Sequence, residues 1–308
     1  MVSQLRSWWQ KTSKMLDAVI IISLVILLIL LVLIILGYLF NWSWTGLHGK
    51  TLYDWLQLLI IPAVLSFGVW WLTRLQQQRD QQLAEKRAQT ELEIATDNQR
   101  EAALKEYLEK MSELLLHENL RQSDPNAEVR KIARVWTLTV LPRLDIYRKR
   151  SLLQFLYESD LINVGKSIID LSSADFSNAF LSGLDLTGAN LSKTHLVGAE
   201  LIGVNLSGAD LSEVTLIGAN LTSADLTNAN LMDASISILN LGTEKVITSL
   251  FLANLTGANL SSARLMGADL RETTLTGADL SRSKITDEQL AKAKSLKGTT
   301  MPDRTMHP

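Results

Sequence analysis

Four histidines, His48, His117, His195 and His307, are the side chains of this 308-residue chain best suited to proton transfer or metal ligation near neutral pH. They fall in four unrelated segments, and no spacing among them suggests a ligand set. There is no cysteine, which excludes disulfides and thiolate metal sites. A serine elbow, a phosphate-binding loop and a dinucleotide fingerprint are all missing. What recurs instead is a carboxylate or amide at one fixed place in a short pattern. Asp175, Asp185, Asp210, Asp225, Asp269 and Asp279 hold that place, and Asn190, Asn220 and Asn230 are its neutral versions. His195 occupies the same place and reads as a surface side chain. The expectation is a non-enzymatic protein with no catalytic, cofactor-binding or metal-binding residue and no cofactor.

The pattern that carries those acids has a period of five. A large apolar residue recurs at 171, 176, 181 and onward to 241, and a second run goes from 250 to 285, twenty-three centres in all. Two positions before each centre the residue is small or apolar, as at Ala174, Ala179 and Ala209. Two positions after, it is often Gly, as at Gly183, Gly208 and Gly257. Five matches neither the helical period nor the strand period. It fits one short extended side followed by a corner, with residues i−2 and i pointing the same way. Stacking such units buries a column that no single unit could bury. From Leu241 to Leu250 is a step of nine residues where two repeats would need ten, so 242–249 is expected to bulge, either as a recognition loop or as a tolerated irregularity.

These A(D/N)Lxx units, for example Ala189-Asn-Leu-Ser-Lys193 and Ala209-Asp-Leu-Ser-Glu213, resemble the pentapeptide-repeat family. The resemblance implies an all-β solenoid over 163–285, a right-handed quadrilateral β-helix with Leu and Ala inside. Leu184, Thr194, Val214, Leu239 and Thr273 depart from small residues in the Ala column. In 286–308, Thr286-Asp-Glu-Gln289 is a capping-box pattern, predicting a lid helix through Lys297 and then an irregular tail.

The N-terminal half has another composition. Ala18–Phe40 and Trp55–Thr73 are uncharged and rich in Ile, Leu and Val, with tryptophans at their ends. That predicts a two-helix transmembrane hairpin over 17–73, with spans 18–40 and 55–73. Arg6, Lys11 and Lys14 before it, and Arg74, Arg79, Lys86 and Arg87 after it, predict cytoplasmic termini, 1–16 being a cytoplasmic segment. The expected setting is an integral protein of a bacterial inner membrane or thylakoid. An α-helical adaptor follows over 74–162. Its helix from Leu72 to about Arg121 carries an apolar stripe (Leu104, Leu108, Met111, Leu115) and reads as a stalk, an oligomerisation helix or one folded back on its neighbours. Asp124-Pro125 is expected to restart the helix, with helices over Ala127–Leu141 and Leu152–Leu161. The segment Met111–Ile162 resembles one that precedes the repeats in cyanobacterial membrane-anchored members of the family.

Net charge is −2, unevenly spread. Residues 160–285 hold thirteen acids against seven bases, whereas Glu128–Arg150 holds seven bases against two acids. That basic patch reads as a contact for anionic lipid, a site for an acidic partner, or a solvated helix face. Some family members mimic DNA and bind DNA gyrase through an acidic surface, but a net −6 over the rod and many neutral ladder positions argue against that here, and nucleic acid is not an expected partner. The expected function is a membrane-anchored scaffold that presents a cytoplasmic β-helix to an unidentified protein partner. Its partners would then be the lipid bilayer, that protein, and in one version further copies of itself. The alternative is a homo-oligomeric membrane channel or transport component.

Overall fold

A computed structural model describes residues 52–241 and 244–308, together with Val25, Leu28, Ile29, Leu31, Val32, Ile35, Leu36 and Leu39, which are helical. The chain divides into two compact units, 1–91 and 92–308.

Helix α1 runs unbroken over Leu52–Leu116. No Gly or Pro interrupts the chain between Thr73 and Leu116, and its many Gln, Glu, Lys, Arg and Ala favour helix. In the first unit this helix exposes Val64, Leu65, Phe67 and Trp71, and the Phe67 and Trp71 rings stack 6.2 Å apart.

Two expectations are corrected here. The stretch 55–73 is the opening part of one long helix, and no transmembrane hairpin is found among the described residues. Among those residues no helix is long and apolar enough to cross a membrane. The physical reason is continuity: the apolar residues run without a break into the polar Gln76–Arg100 stretch of the same helix. Most of the expected span 18–40, the segment 1–16 and His48 lie outside the described residues. The integral-membrane placement with cytoplasmic termini is withdrawn, and with it the channel alternative.

In the second unit the end of α1 folds against two helices, α2 (Glu128–Val140) and α3 (Ile146–Glu158). Leu104 and Met111 of the stripe read from the sequence do the packing together with Tyr107 and Leu114, buried with Ala133, Leu141, Leu152, Leu153 and Leu156, while Leu108 and Leu115 are only partly buried. The buried Tyr107 hydroxyl meets Thr137 Oγ1 at 2.9 Å, and burial pushes that phenol well above its ordinary pKa. Asp124-Pro125 opens a turn rather than a helix, because Asp124 accepts only the turn bond from Ala127 N and α2 starts without a side-chain cap. α3 starts earlier than expected because Asp145 caps it, accepting from Tyr147 N and Arg148 N.

Beyond Ile169 the chain is a four-sided parallel β-helix. Asp175 bridges His195, His195 bridges Thr215, and Thr215 bridges Ser235, a step of twenty residues or four pentapeptides per layer. The other three columns keep the same step up to Asn220, Asp225 and Asn230. Neighbouring layers thus lie about 4.8 Å apart. Leu at each centre and Ala two before it are almost wholly buried from Leu171 to Leu280. Corners are closed by a bond from the Ala N–H to the preceding centre's carbonyl, as from Ala253 to Leu250, and their second middle residue takes positive φ. Bulky or polar residues in the Ala column are accommodated: the buried hydroxyls of Thr194 and Thr273 donate to the carbonyls of Leu191 and Leu250.

The break in the ladder lies elsewhere than its spacing implied. Asn220 bridges Ser249, a step of twenty-nine, so Leu250 takes the place that follows Ile236 and nine residues are inserted. They form an antiparallel hairpin, β1 (Leu239–Leu241) paired with β2 (Glu244–Val246). Leu239 and Leu241, which fit the five-residue pattern, therefore belong to the hairpin. Thr248 and Ser249 are already back in the ladder.

The C-terminal lid is also shorter than expected. The capping box of Thr286 and Gln289 is present, but α4 covers only Asp287–Leu290. Ser295 and Thr300 then bridge Thr274 and Asp279, and Thr300 pairs with Met306, so the tail completes another layer. Gly298 at φ +68 and the hydrogen bonds of the ladder draw the chain out of the helix.

Candidate interaction surface

A β-helix leaves a row of main-chain groups unpaired at each end, an invitation to edge-to-edge association. At the N-terminal end the exposed groups are carbonyls of the first layer, and the basic patch covers them. Arg134 donates to the carbonyls of Asp170 (3.0 Å) and Ser172 (2.9 Å), and Lys149 to Ser177 (3.1 Å). Arg150 donates to Ser182 (2.7 Å), and the Tyr157 hydroxyl to Thr187 (3.1 Å). The amides of Phe180 and Asn190 find the carbonyls of Ile146 and Ile162. Arg148 serves otherwise: Asp97 (2.8 Å), Glu101 (2.9 Å) and Asp145 surround it and tie α1 to α3. Hydrogen bonding to Asp97, ahead of opposing burial, raises the pKa of that guanidinium still further. Five of the seven patch cations read from the sequence (Arg130, Arg134, Arg148, Lys149 and Arg150) are thus structural, while Lys131 and Arg143 remain exposed.

The ladder acids are held within the rod as well. Asp175, Asp185, Asp210 and Asp225 each accept the N–H two residues on. Between layers, Asn230 Nδ2 donates to Asp210 (3.0 Å) and Asn254 Nδ2 to Asp225 (3.3 Å). In the bridged columns no carboxylate sits directly on another, because Asn, Ser, His or Thr intervenes. Like charges in adjacent layers would repel. Partial burial alone would raise the Asp175 carboxyl, but the Ser177 hydrogen bonds and the Lys149 charge hold it below the ordinary range. Asp269 is likewise held low, first by the Arg271 hydrogen bond. These residues serve the fold and leave no continuous acidic stripe.

The histidines stay apart. His195 lies exposed in its ladder column, His117 follows the end of α1, and His307 lies in the C-terminal tail. Among the described residues no group of His, Asp and Glu is placed to hold a metal ion. A cleft of about 90 Å³ between α1 and α2 is lined by Glu106, Lys110, Trp136 and Arg143. It is well below the several hundred Å³ of an ordinary ligand site.

The four corners of the rod differ. Two are hydrophilic: one carries Thr187, Ser207, Thr227, Thr256 and Thr276, and the other Ser192, Ser212, Ser261 and Ser281 with Met232 as its apolar member. The remaining two flank the face of Glu200, Asn220, Ser249 and Asp269. One of these holds Val197, Ile217 and Met266, with the hairpin rising between the last two. The other holds Ile202, Phe251 and Leu252 beside Thr222 and Arg271. Ile202, Leu252, Met266 and Ile247 are 43, 47, 56 and 52% exposed. Leu252 stands at φ 59, where a side chain other than glycine costs about 1 kcal/mol. Gly267 has no side chain where a Cβ would come within 2.7 Å of Ile238, so the hairpin base can lie against that corner. Read along the chain, these residues are unremarkable corner positions.

A model of pentapeptide repeats matches residues 169–208, 199–237 and 248–287. The chain belongs to the pentapeptide-repeat family. Pentapeptide-repeat proteins form right-handed β-helix solenoids, which the C-terminal region fits, and they are in general structural or interaction proteins rather than enzymes. Among solved structures, the pentapeptide-repeat protein Rfr23 from the cyanobacterium Cyanothece 51142 is 35% identical over 36% of this chain and 63% of its own, with a TM-score of 0.22. HetL from Nostoc sp. strain PCC 7120, a pentapeptide-repeat protein involved in heterocyst differentiation regulation, is 31% identical over 45% of this chain and 70% of its own, with a TM-score of 0.16. A further pentapeptide-repeat protein from Nostoc PCC 7120, alr5209, is 31% identical over 39% and 84%, with a TM-score of 0.20. A search of curated proteins found no match.

Proposed function

We propose that this pentapeptide-repeat protein is a non-catalytic docking protein whose β-helix receives a protein partner on the face between its two apolar corners. One observation carries the reading: the exposed aliphatic side chains of Ile202, Leu252 and Met266 lie on the corners flanking a single face, and the inserted hairpin rises from one of those corners. The other corners show mostly Ser, Thr, Asn and Gly, the residues a corner favours for its own sake, with Lys193, Glu213, Asp233 and Arg282 and the single apolar Met232. Contiguous exposed apolar groups rimmed by polar ones mark interaction sites more often than chance surface. Both ends of the rod are engaged, the first layer by α2 and α3 and the last by the tail, which leaves the long sides for partners.

The test compares corners. Ile202→Asp with Leu252→Asp should abolish recovery of a stoichiometric protein partner by the tagged full chain, whereas Thr227→Asp with Thr256→Asp on an opposite corner should not. Equal loss from both pairs, or from neither, would refute the assignment of the face.

A further inference from the structure

The hairpin side of the rod also carries an unusual concentration of unpartnered positive charge. Arg264 and Lys284 occupy successive layers of one column and bridge one another, and both are exposed. Among the described residues neither forms an ion pair, whereas Lys193 and Arg271 meet Glu213 and Asp269. The lower members of that column, Thr215 and Ser235, bring no compensating acid. Like charges carried on strands about 4.8 Å apart repel, and nothing in the ladder geometry requires them.

Two residues beyond Arg264, at the corner that ends its side of the rod, stands the exposed Met266, at the rim of the hairpin. The hairpin's returning strand adds a third exposed cation, Lys245, and the exposed Val246 and Ile247. The carboxylates nearby in the next layer, Asp287 and Glu288, stand in the first turn of α4, where negative charge suits the helix N-terminus, and Glu288 pairs with Lys292.

Resting on the docking role proposed above, we infer that this edge takes an acidic segment of the partner protein, one that interleaves carboxylates with aliphatic residues. Carboxylates answer Arg264, Lys284 and Lys245, and aliphatic side chains cover Met266, Val246 and Ile247. Both kinds of group are needed. Cations alone would equally suit a phosphate backbone, but a nucleic-acid duplex offers nothing to the exposed aliphatic groups beside them. Paired charges across a rim set partner choice and encounter rate.

The experiment pans a displayed library of random peptides against the purified full chain. The expected consensus combines Asp or Glu with Leu, Ile or Val. Enriched peptides should bind at least about tenfold more weakly to an Arg264→Glu, Lys284→Glu variant and to Met266→Asp, and less well as salt is raised. Thermal melts of both variants should match the parent, since the exchanged side chains are exposed. A basic or purely apolar consensus, a consensus that survives charge reversal, or no consensus at all would overturn the inference. So would displacement of the peptides by a DNA duplex with the same sensitivity to the substitutions. Partner recovery that still depends on Ile202 and Leu252 but ignores Arg264 and Lys284 would leave the docking role standing and remove this inference alone.

Discussion

Excising residues 239–247 and replacing Ile238 by glycine is expected to leave the rod folded. As far as Lys284 the ladder steps by twenty residues per layer except across the hairpin, where it steps by twenty-nine. Removing those nine residues joins position 238 to Thr248, so that Leu250 follows Ile236 at the repeat's own spacing. Thr248, Ser249 and Leu250 then keep their register with Ala219, Asn220 and Leu221 in the layer below. The glycine is needed because position 238 becomes a corner residue with positive φ, where a β-branched side chain costs about 1–2 kcal/mol. What is lost is a two-stranded hairpin, a motif of marginal stability by itself. What is regained is main-chain bonding. Gly218 N now reaches the Thr248 hydroxyl at 2.8 Å, and would instead take the Ser237 carbonyl as Glu213 N takes that of Met232. One such bond contributes about 1 kcal/mol net, and a loop of this size costs little more than that to close. The net change should fall within about 2 kcal/mol, which for a unit of this size moves the melting midpoint by less than about 8 °C. Circular dichroism would follow the melt of the full chain. A larger fall, or loss of a cooperative transition, would show that the hairpin is part of the fold and refute its reading as a graft on a continuous ladder.

Other consequences follow from the same structure. Arg134→Ala and Arg150→Ala should each destabilise by about 1–3 kcal/mol in urea unfolding, because first-layer carbonyls lose their donors. Unchanged midpoints would mean that water serves that edge equally well. Gly257→Ala should cost more than Gly188→Ala: both have positive φ, but only at 257 would the new Cβ fall within 2.3 Å of Asn228 Oδ1. Equal losses would contradict the corner packing. The carboxyls of Asp145, Asp170 and Asp175 are held low, so their contribution to stability is present above their unfolded pKa, near 4, and is lost as pH falls through the lower folded values. The urea midpoint should therefore drop as pH is taken from about 6 to about 3, and a flat profile would refute the claim.

Much of the rod was legible because its determinants are local. Small residue, polar residue, leucine and a corner repeat within five positions, and the pitch of four units per layer follows from closing them into a stack. The hairpin was misplaced for a related reason: Leu239 and Leu241 keep the right spacing by coincidence, and only the pairing of layers shows that they have left the ladder. The end seal was not legible. Arg134 and Arg150 look like any solvated helical cations until the first layer's carbonyls are seen opposite them. Asp145 was not legible as a cap because the helix after it was expected to begin only at Leu152, six residues beyond its actual start at Ile146. The apolar residues of 55–73 suggested a membrane span, but one long helix carries them directly into a polar stretch, and the described residues contain no spanning helix. The docking face was hidden because Ile202, Leu252 and Met266 lie far apart in sequence and become neighbours of one face only when the layers stack.

The central claim is that one face, bounded by two apolar corners, receives a protein partner. The most direct measurement places a photo-crosslinking residue in turn at Ile202, Leu252, Thr227 and Thr256 of the full chain, under native conditions. A discrete protein adduct is expected from Ile202 and Leu252 and none from Thr227 or Thr256. Adducts from all four positions, or only from the two threonines, would contradict the claim.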